Sequence, residues 1–489
     1  MPAYPPEGIP ETVRLWSLTE DTLLEAGDDD TLVAITWWGE YELADVPRPV
    51  RESLGRMALG PISMGNLATS AGNGAEAWAG TLRKVLNQLS GSVVHSLALN
   101  DGRGPLLSAI PVTQAPVFPA DAVPPGRLIK LSRYSAMRPD DDGGLLLESP
   151  RARYRVALLR PPAVTVASSL AGPVTVARVA ETSGLTEAVV ADVVAFLVAA
   201  GVVLMADDWA GFAEDTDADL AVWSPDDLMF HARSRTWLKS RPPAHPPDPE
   251  AHRTGPEPPV VKQITAGPTF PLHRPDPAVL KATDPTLATL LEHDHACPEV
   301  TERALSAEQV GEFLFRAARV RSIGPAYLPG GPGHEASQRP YFSVACLYEL
   351  EIYVGINRCA DLARGIYHYD PLWHTLTLIN DDPGVLDGML DLAMVGAGSH
   401  RRPSVLLTMT ARMSRIAWVL GSAAYATTLV HVGALQQVLY LAAKAMGLAA
   451  HAVPVDAGDR VDRSLKLEWP AEVSVGECVL DFPLGNGVG

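Results

Sequence analysis

Along residues 349–357, ELEIYVGIN, apolar side chains recur at every second position. Leu350, Ile352, Val354 and Ile356 fall on one face, with Glu351, Tyr353 and Gly355 on the other. That alternation predicts a half-buried strand. GIYHYDPLWHTLTLI, residues 365–379, predicts a hairpin turning at Asp370–Pro371, and SVLLTMTA, residues 404–411, a buried strand. Past residue 427 the period changes. Val432, Leu435, Leu439, Ala442 and Met446 stand three and four apart, the stripe of a long helix facing a core. Gly433 within it removes a side chain and allows close approach of a ring, a backbone or another helix, and Gly447 ends it. Antiparallel strands with long helices predict an α+β arrangement.

The first half repeats one pattern twice. GLLLESPRARYRVAL predicts a hairpin, TVARVAET a short helix, and TEAVVADVVAFLVAA a longer helix capped by Thr186 and stopped at Gly201, with VVLM as closing strand. Earlier, LVAITWWGEYEL, VRESLGRMAL, GAEAWAGTLRKVLNQLS and HSLALN give the same order more loosely. Each is a winged helix-turn-helix pattern. The apolar run Ala188–Ala206 approaches membrane-spanning length, but Asp192 lies inside it and Gly201 interrupts it, so a buried helix followed by a strand is expected. RPPAHPPDPEAHRTGPEPP, residues 241–259, breaks the chain, because proline removes backbone donors. The expected division is residues 1–120 and 121–206 as winged-helix units, 207–275 as a Pro-rich linker and arm, and 276–489 as the sheet-and-helix domain.

Composition narrows function. The chain has 489 residues, 47% hydrophobic, with a formal net charge of −18. That length and apolar content suit a globular protein of about three domains. So acidic a chain repels phosphate backbones, and the helix after Thr186 carries Glu187 and Asp192 without Lys or Arg, which argues against nucleic acid as a partner. Four scattered cysteines fit a reducing cytoplasm. The N-terminal stretch has neither the basic nor the apolar region of a secretion signal, so no secretion or membrane anchoring is expected. In element order the two units resemble PqqD-like domains, which bind a leader peptide along a strand edge.

YELEIYVGINRCADLARGIYHYDPLWHTL with HVGALQQVLYLAAKAMGL resembles the SagB/ThcOx branch of the nitroreductase superfamily. LSRYSAMRPDDDGGLLLESPRARYRVAL and DDLMFHARSR resemble its N-terminal extensions more diffusely. The resemblance implies a nitroreductase-like domain over residues 276–489. It also implies an FMN-dependent oxidoreductase that turns peptide thiazolines and oxazolines into thiazoles and oxazoles. The superfamily's intertwined dimer, homodimeric or paired with a paralogous subunit, holds FMN at the interface. A precursor peptide and a cyclodehydratase complex are the implied partners.

Three stretches depart from that family. LEHDHACPEV, residues 291–300, lacks the arginines that hold the flavin phosphate, leaving His293 and His295. In YFSVACLYELE, Ser343 is kept, but Val344 and Ala345 stand where glycine is expected. RIAWVLGSAAYA, residues 415–426, keeps Trp418 but has Val419 and Leu420 in place of a lysine and a tyrosine. These departures predict a weak FMN site. His431 becomes the candidate base. Ser343, Arg319, Arg321, Gln437 and Gly433 are the candidate cofactor contacts. The histidine pair at 293–295 lacks a third ligand, so no metal is expected. Cys346 has no neighbouring base and reads as an inert thiol, and His368 as a structural hairpin residue. Two functions stay open: an azoline dehydrogenase, or a catalytically silent scaffold that binds precursor peptide or completes a paralogue's site. A winged-helix regulator ranks last.

Overall fold

The alternating stretch Leu350–Ile356 is the middle strand of a seven-stranded antiparallel sheet in the computed structural model. Gly365–Asp370, Thr375–Asn380 and Thr269–Pro271 continue the sheet on one side; Val405–Arg412, Glu472–Asp481 and Ala449–Val453 continue it on the other. The structure describes residues 11–27, 31–68, 75–114, 118–140, 143–207, 211–234, 256–264, 266–292, 299–327, 333–453 and 459–484. The chain is mixed α+β and divides into two units, Met1–Pro246 and Pro247–Gly489.

The hairpin turns where Asp370 Oδ1 accepts the N–H groups of Leu372 and Trp373 at 2.8 and 2.9 Å. Val405–Arg412 is buried throughout. The expectation of a half-buried strand at Leu350–Ile356 is corrected, since all seven residues are buried. On one face its aliphatic residues pack with Val432, Leu435 and Leu439 of the long helix Ala424–Ala445. On the other, Tyr353 packs with Leu386, Met389 and Leu390 of the helix Pro383–Gly396. A covered polar face must pair its charges. Glu351 does so with His368 Nε2 at 3.1 Å and Arg412 Nε at 2.8 Å. Each leucine so buried contributes about 1.5–3 kcal/mol.

The long helix keeps its predicted stripe, and Gly447 follows it at φ +65°. By length and composition alone it is the one helix among the described residues apolar enough to cross a membrane, while its Val432–Leu439 side faces the core.

In Met1–Pro246, Thr186 caps the helix Glu187–Ala200 by accepting the Val189 N–H, and Gly201 ends it at φ +86°. Val203–Met205 follows as a strand, so the apolar run is a buried helix and a strand. That strand pairs with Ile129–Leu131 and not with the hairpin Leu145–Glu148/Tyr154–Leu158. The earlier hairpin, Leu32–Thr36/Gly39–Leu43, lies in a separate three-stranded sheet. A six-stranded sheet takes Thr12–Leu18, Val93–Leu99 and Leu107–Pro111 from before residue 120, and Tyr154–Leu158, Leu145–Glu148 and Ala136–Pro139 from after it. The two winged-helix units therefore stand as a proposal from element order.

Candidate functional site

The stretch between Ser343 and the central strand carries unusual backbone. Ala345, Cys346 and Tyr348 take φ of 52°, 54° and 46°. Left-handed backbone costs a residue with a Cβ about 1–2 kcal/mol, and it persists where surrounding contacts over-determine it. Those contacts are present. Ser343 Oγ accepts the Tyr348 N–H at 3.0 Å, and His431 Nε2 accepts the Val344 N–H at 2.7 Å. His334 Nε2 donates to Ala345 O at 2.8 Å, Arg415 Nε to Leu347 O at 3.1 Å, and Gln338 Nε2 to Cys346 Sγ at 3.1 Å. Tyr348 OH donates to Tyr341 O at 2.8 Å. Glycine reaches this conformation freely, but here the side chains of Ser343, His431, His334, Arg415 and Gln338, five in all, hold it against strain, and Tyr348 anchors its end.

His431 is wholly buried. Its Nδ1 lies 2.9 and 3.0 Å from the two carboxylate oxygens of Glu349, also wholly buried. A backbone N–H can only donate, so the Val344 bond places the lone pair on Nε2 and the ring proton on Nδ1, directed at Glu349. A general base needs a lone pair within reach of substrate. That lone pair is engaged by the loop, so His431 acts as a base only if the Val344 bond opens. The exposed Phe342 ring stands edge-on to His431 at 6.1 Å.

Gly433 and Gln437 lie on the exposed side of the same helix, with Leu429 and Val430. A Cβ at Gly433 would meet no atom within 4 Å, so whatever approaches it closely lies outside the chain's own described atoms. Arg319 follows the helix Ala307–Ala318, donates to Phe315 O at 2.7 Å and stacks over the Phe315 ring at 4.2 Å. Burial, then the charge of Arg321, lowers its pKa. Arg321 is exposed and donates to Arg339 O at 3.3 Å, a carbonyl that Tyr348 OH approaches at 3.2 Å. The structure thus unites Ser343 with His431. It sets Gly433 and Gln437 on the far side of that helix, and links Arg321 to the loop only through Arg339 and Tyr348.

His293, Asp294, His295 and Cys297 lie outside the described residues. Among the described residues no group of three or more His, Cys, Asp or Glu side chains is placed to hold a metal ion. Leu420 is 1% exposed and Val419 half-buried in the helix Met413–Leu420. Cys346 is half-buried.

Sequence reasoning missed Glu349 and Arg415. In RIAWVLGSAAYA the attention falls on Val419 and Leu420, yet Arg415 is only 2% exposed and bonds four backbone or side-chain groups. The available signal was a lone cation in an apolar helix, which when buried must find partners.

Residues 129–239 match the family model described as cyanobactin oxidase ThcOx. The match covers under a quarter of the chain and falls in the first half, where the motif resemblance was more diffuse. A protein described as a nitroreductase from Anabaena variabilis is 17% identical, covering 51% of this chain and 46% of its own, with a TM-score of 0.35. One from Ralstonia eutropha is 19% identical, covering 46% and 98%, with a TM-score of 0.35. The E. coli microcin synthetase McbBCD complex with truncated pro-MccB17 bound is 17% identical, covering 40% and 73%, with a TM-score of 0.32. No curated protein matches the chain.

Proposed function

We propose that this chain is an oxidoreductase of ribosomal-peptide natural product biosynthesis, acting with FMN on peptide thiazolines and oxazolines. The carrying observation is the loop Ser343–Tyr348. It keeps glycine-type backbone at Ala345 and Cys346 although neither is glycine, and five side chains hold it there. Strain maintained this way marks a functional position. The ThcOx match over residues 129–239 supports the substrate class.

The residues present fit a phosphate-bearing, planar cofactor in part. Arg321, exposed and holding one long bond to a carbonyl, has donors to spare for a phosphate. Ser343 accepts from Tyr348 and has its hydroxyl proton to donate. The open helix face at Gly433 and Gln437 accommodates a flat ring or a second subunit. Arg319, occupied by Phe315, fits less well. When bound, FMN supplies the hydride acceptor. The chain's own part is to hold the loop and to orient Ser343. Removing the azoline carbon-bound proton requires a base, and His431 serves only if Val344 releases it.

A second reading rests on that same histidine and on Val419 and Leu420. Neither aliphatic side chain moves a proton, and the His431 lone pair is engaged. The chain is then a silent subunit that binds precursor peptide and completes a paralogue's site. Both readings place it in a cytoplasmic complex with precursor peptide, as a homodimer or a heterodimer.

Incubation with an azoline-bearing peptide and excess FMN separates them. Each azoline oxidised loses two hydrogens and two daltons. Mass loss with the chain alone supports the first reading. Loss only after a paralogous subunit is added supports the second, and loss in neither case removes the oxidoreductase assignment.

A further inference from the structure

Three buried arginines converge on one short extended segment, Glu257–Val260. Arg415 Nη1 donates to Pro258 O at 2.7 Å and lies 3.3 Å from Glu257 Oε1. Arg412 donates to Pro259 O at 2.6 Å and Val260 O at 3.0 Å, and Arg339 to Val260 O at 3.4 Å. Lys262 then bonds Tyr353 OH at 2.8 Å and pairs with Glu472. Pro258 and Pro259 have no N–H to donate and favour extended backbone. Their carbonyls are what remains to be bonded, and guanidinium forks bond them. The segment is a strap held by its backbone.

Arg415 does a second thing. Its Nε bonds Leu347 O in the strained loop, and its Nη2 bonds Glu335 O in the strand Gly333–Gln338. The Glu335 N–H donates to Glu257 Oε1 at 2.8 Å, which closes a ring from strap to strand to arginine. Three side chains hold the loop backbone from outside it: His431 at Val344, His334 at Ala345 and Arg415 at Leu347. Of these, Arg415 alone is also bonded to the strap. Its one carboxylate partner, Glu257, is 31% exposed. A guanidinium buried with so little compensation is a poor source of stability compared with an apolar side chain. Its geometry suits coupling: one rigid fork reaches three separate segments at once.

We propose that Arg415 is a positioning residue that makes the left-handed conformation of the loop Ser343–Tyr348 depend on docking of the strap Glu257–Val260. The coupling holds with or without flavin, so it stands apart from the oxidation reading. With the strap docked, Pro258 O and Glu257 fix the guanidinium plane, and Nε meets Leu347 O. Without it, two of the fork's contacts are lost, the plane is free to turn, and the strain at Ala345, Cys346 and Tyr348 loses a restraint. Because Leu347 lies between Cys346 and Tyr348, the released residues are the strained ones.

The test uses the full chain without added cofactor. Amide hydrogen exchange is followed over residues 343–348 and 405–411, and alkylation of Cys346 is followed by peptide mass spectrometry. Arg415→Lys keeps the charge and loses the fork. It should raise exchange in 343–348 and Cys346 alkylation about tenfold, leaving 405–411 unchanged. Glu257→Ala, on the partly exposed strap, should raise both by a smaller factor, about two- to fivefold. Exchange that rises only at 257–262 and 333–338, with the loop and Cys346 unchanged, makes Arg415 a local brace and overturns the proposal. An equal rise across 405–411 overturns it too, since that is general destabilisation. If Arg415→Lys does not fold, Glu257→Ala decides alone: a loop response supports the coupling and a silent loop overturns it.

Discussion

Replacing His431 by leucine is the sharpest test of the buried pair with Glu349. His431 bonds both oxygens of a carboxylate that has no exposed surface. His431→Leu leaves that charge buried without its partner, about 3–5 kcal/mol. It also orphans the Val344 N–H, about 1–3 kcal/mol more. Glu349→Leu alone orphans only the imidazole Nδ1–H, about 1–3 kcal/mol. The double variant has neither charge nor ring and leaves only the Val344 N–H, again about 1–3 kcal/mol. The double variant should therefore be more stable than His431→Leu alone, with a coupling of about 4–8 kcal/mol between the positions. Urea unfolding of the four proteins measures it. Fluorescence and circular dichroism are both followed, because the chain has two units and only the transition that moves in the variants belongs to Pro247–Gly489. Additive effects, with the double variant the least stable of the four, would refute a paired buried charge.

Ala345→Gly relieves one left-handed residue but adds unfolded-chain freedom, so stability should change by about 0 to +1 kcal/mol, whereas Ala345→Val should lower it by more than about 1 kcal/mol; thermal melts decide. Acid should destabilise the two units in different pH windows. Burial holds His95 down at about 4 against 6.5, so the unfolded chain takes up the proton first and Met1–Pro246 loses stability as pH falls from 6.5 to 4. Burial pushes Glu351 up, but Arg412 and His368 outweigh it and hold it at about 2 against 4.5, so its contribution is present above 4.5 and is lost as pH falls towards 2. Each is worth up to about 3 kcal/mol, and His95→Phe and Glu351→Gln should flatten the melting profile in their respective windows. On the silent-subunit reading, Val419→Lys with Leu420→Tyr should not create azoline oxidation, and on either reading it should lower stability by about 1–3 kcal/mol, because Leu420 has no room for a larger ring; two-dalton mass loss and melting report both. Duplex DNA at low salt should show no mobility shift, since the helix Glu187–Ala200 carries acids and no cations.

What the sequence made legible depends on periodicity. The strand at Leu350–Ile356, the hairpin at Asp370, the long helix with Val432, Leu435 and Leu439, and the caps at Thr186 and Gly201 all follow from local spacing and local backbone preference. Pairing between distant segments leaves no such trace. Nothing in VVLM indicates that its partner is Ile129–Leu131, and nothing in the alternation at 349–357 indicates that a second helix covers its polar face. The candidate site shows the same limit. Ser343 and His431 were legible as types, and their meeting through Val344 was not, because it joins positions 87 residues apart. Arg415 was invisible for the opposite reason: a single arginine has no period, and its importance lies in carbonyl partners that any sequence supplies.

That limit bears on how the loop's lost glycines are weighed. As a motif, Val344 and Ala345 in place of glycine count as damage. As a conformation, Ala345 at φ of 52° is what glycine would have provided, Cys346 at 54° continues it, and Val344 takes no such φ. The two solutions differ in where the free energy lies. Glycine makes the folded loop unstrained but gives the unfolded chain more freedom, and the folded loop moves easily. Residues with a Cβ make the loop strained and stiff, and His431, His334, Ser343, Gln338 and Arg415 offset that strain. A strained loop under several restraints responds to any one of them, which a glycine loop does not. Two departures from the resembling family then remain in the sequence, the absence of arginine at 291–300 and the aliphatic pair Val419–Leu420. The third is an exchange of intrinsic freedom for external control, and it is the exchange that makes coupling to the strap physically reasonable.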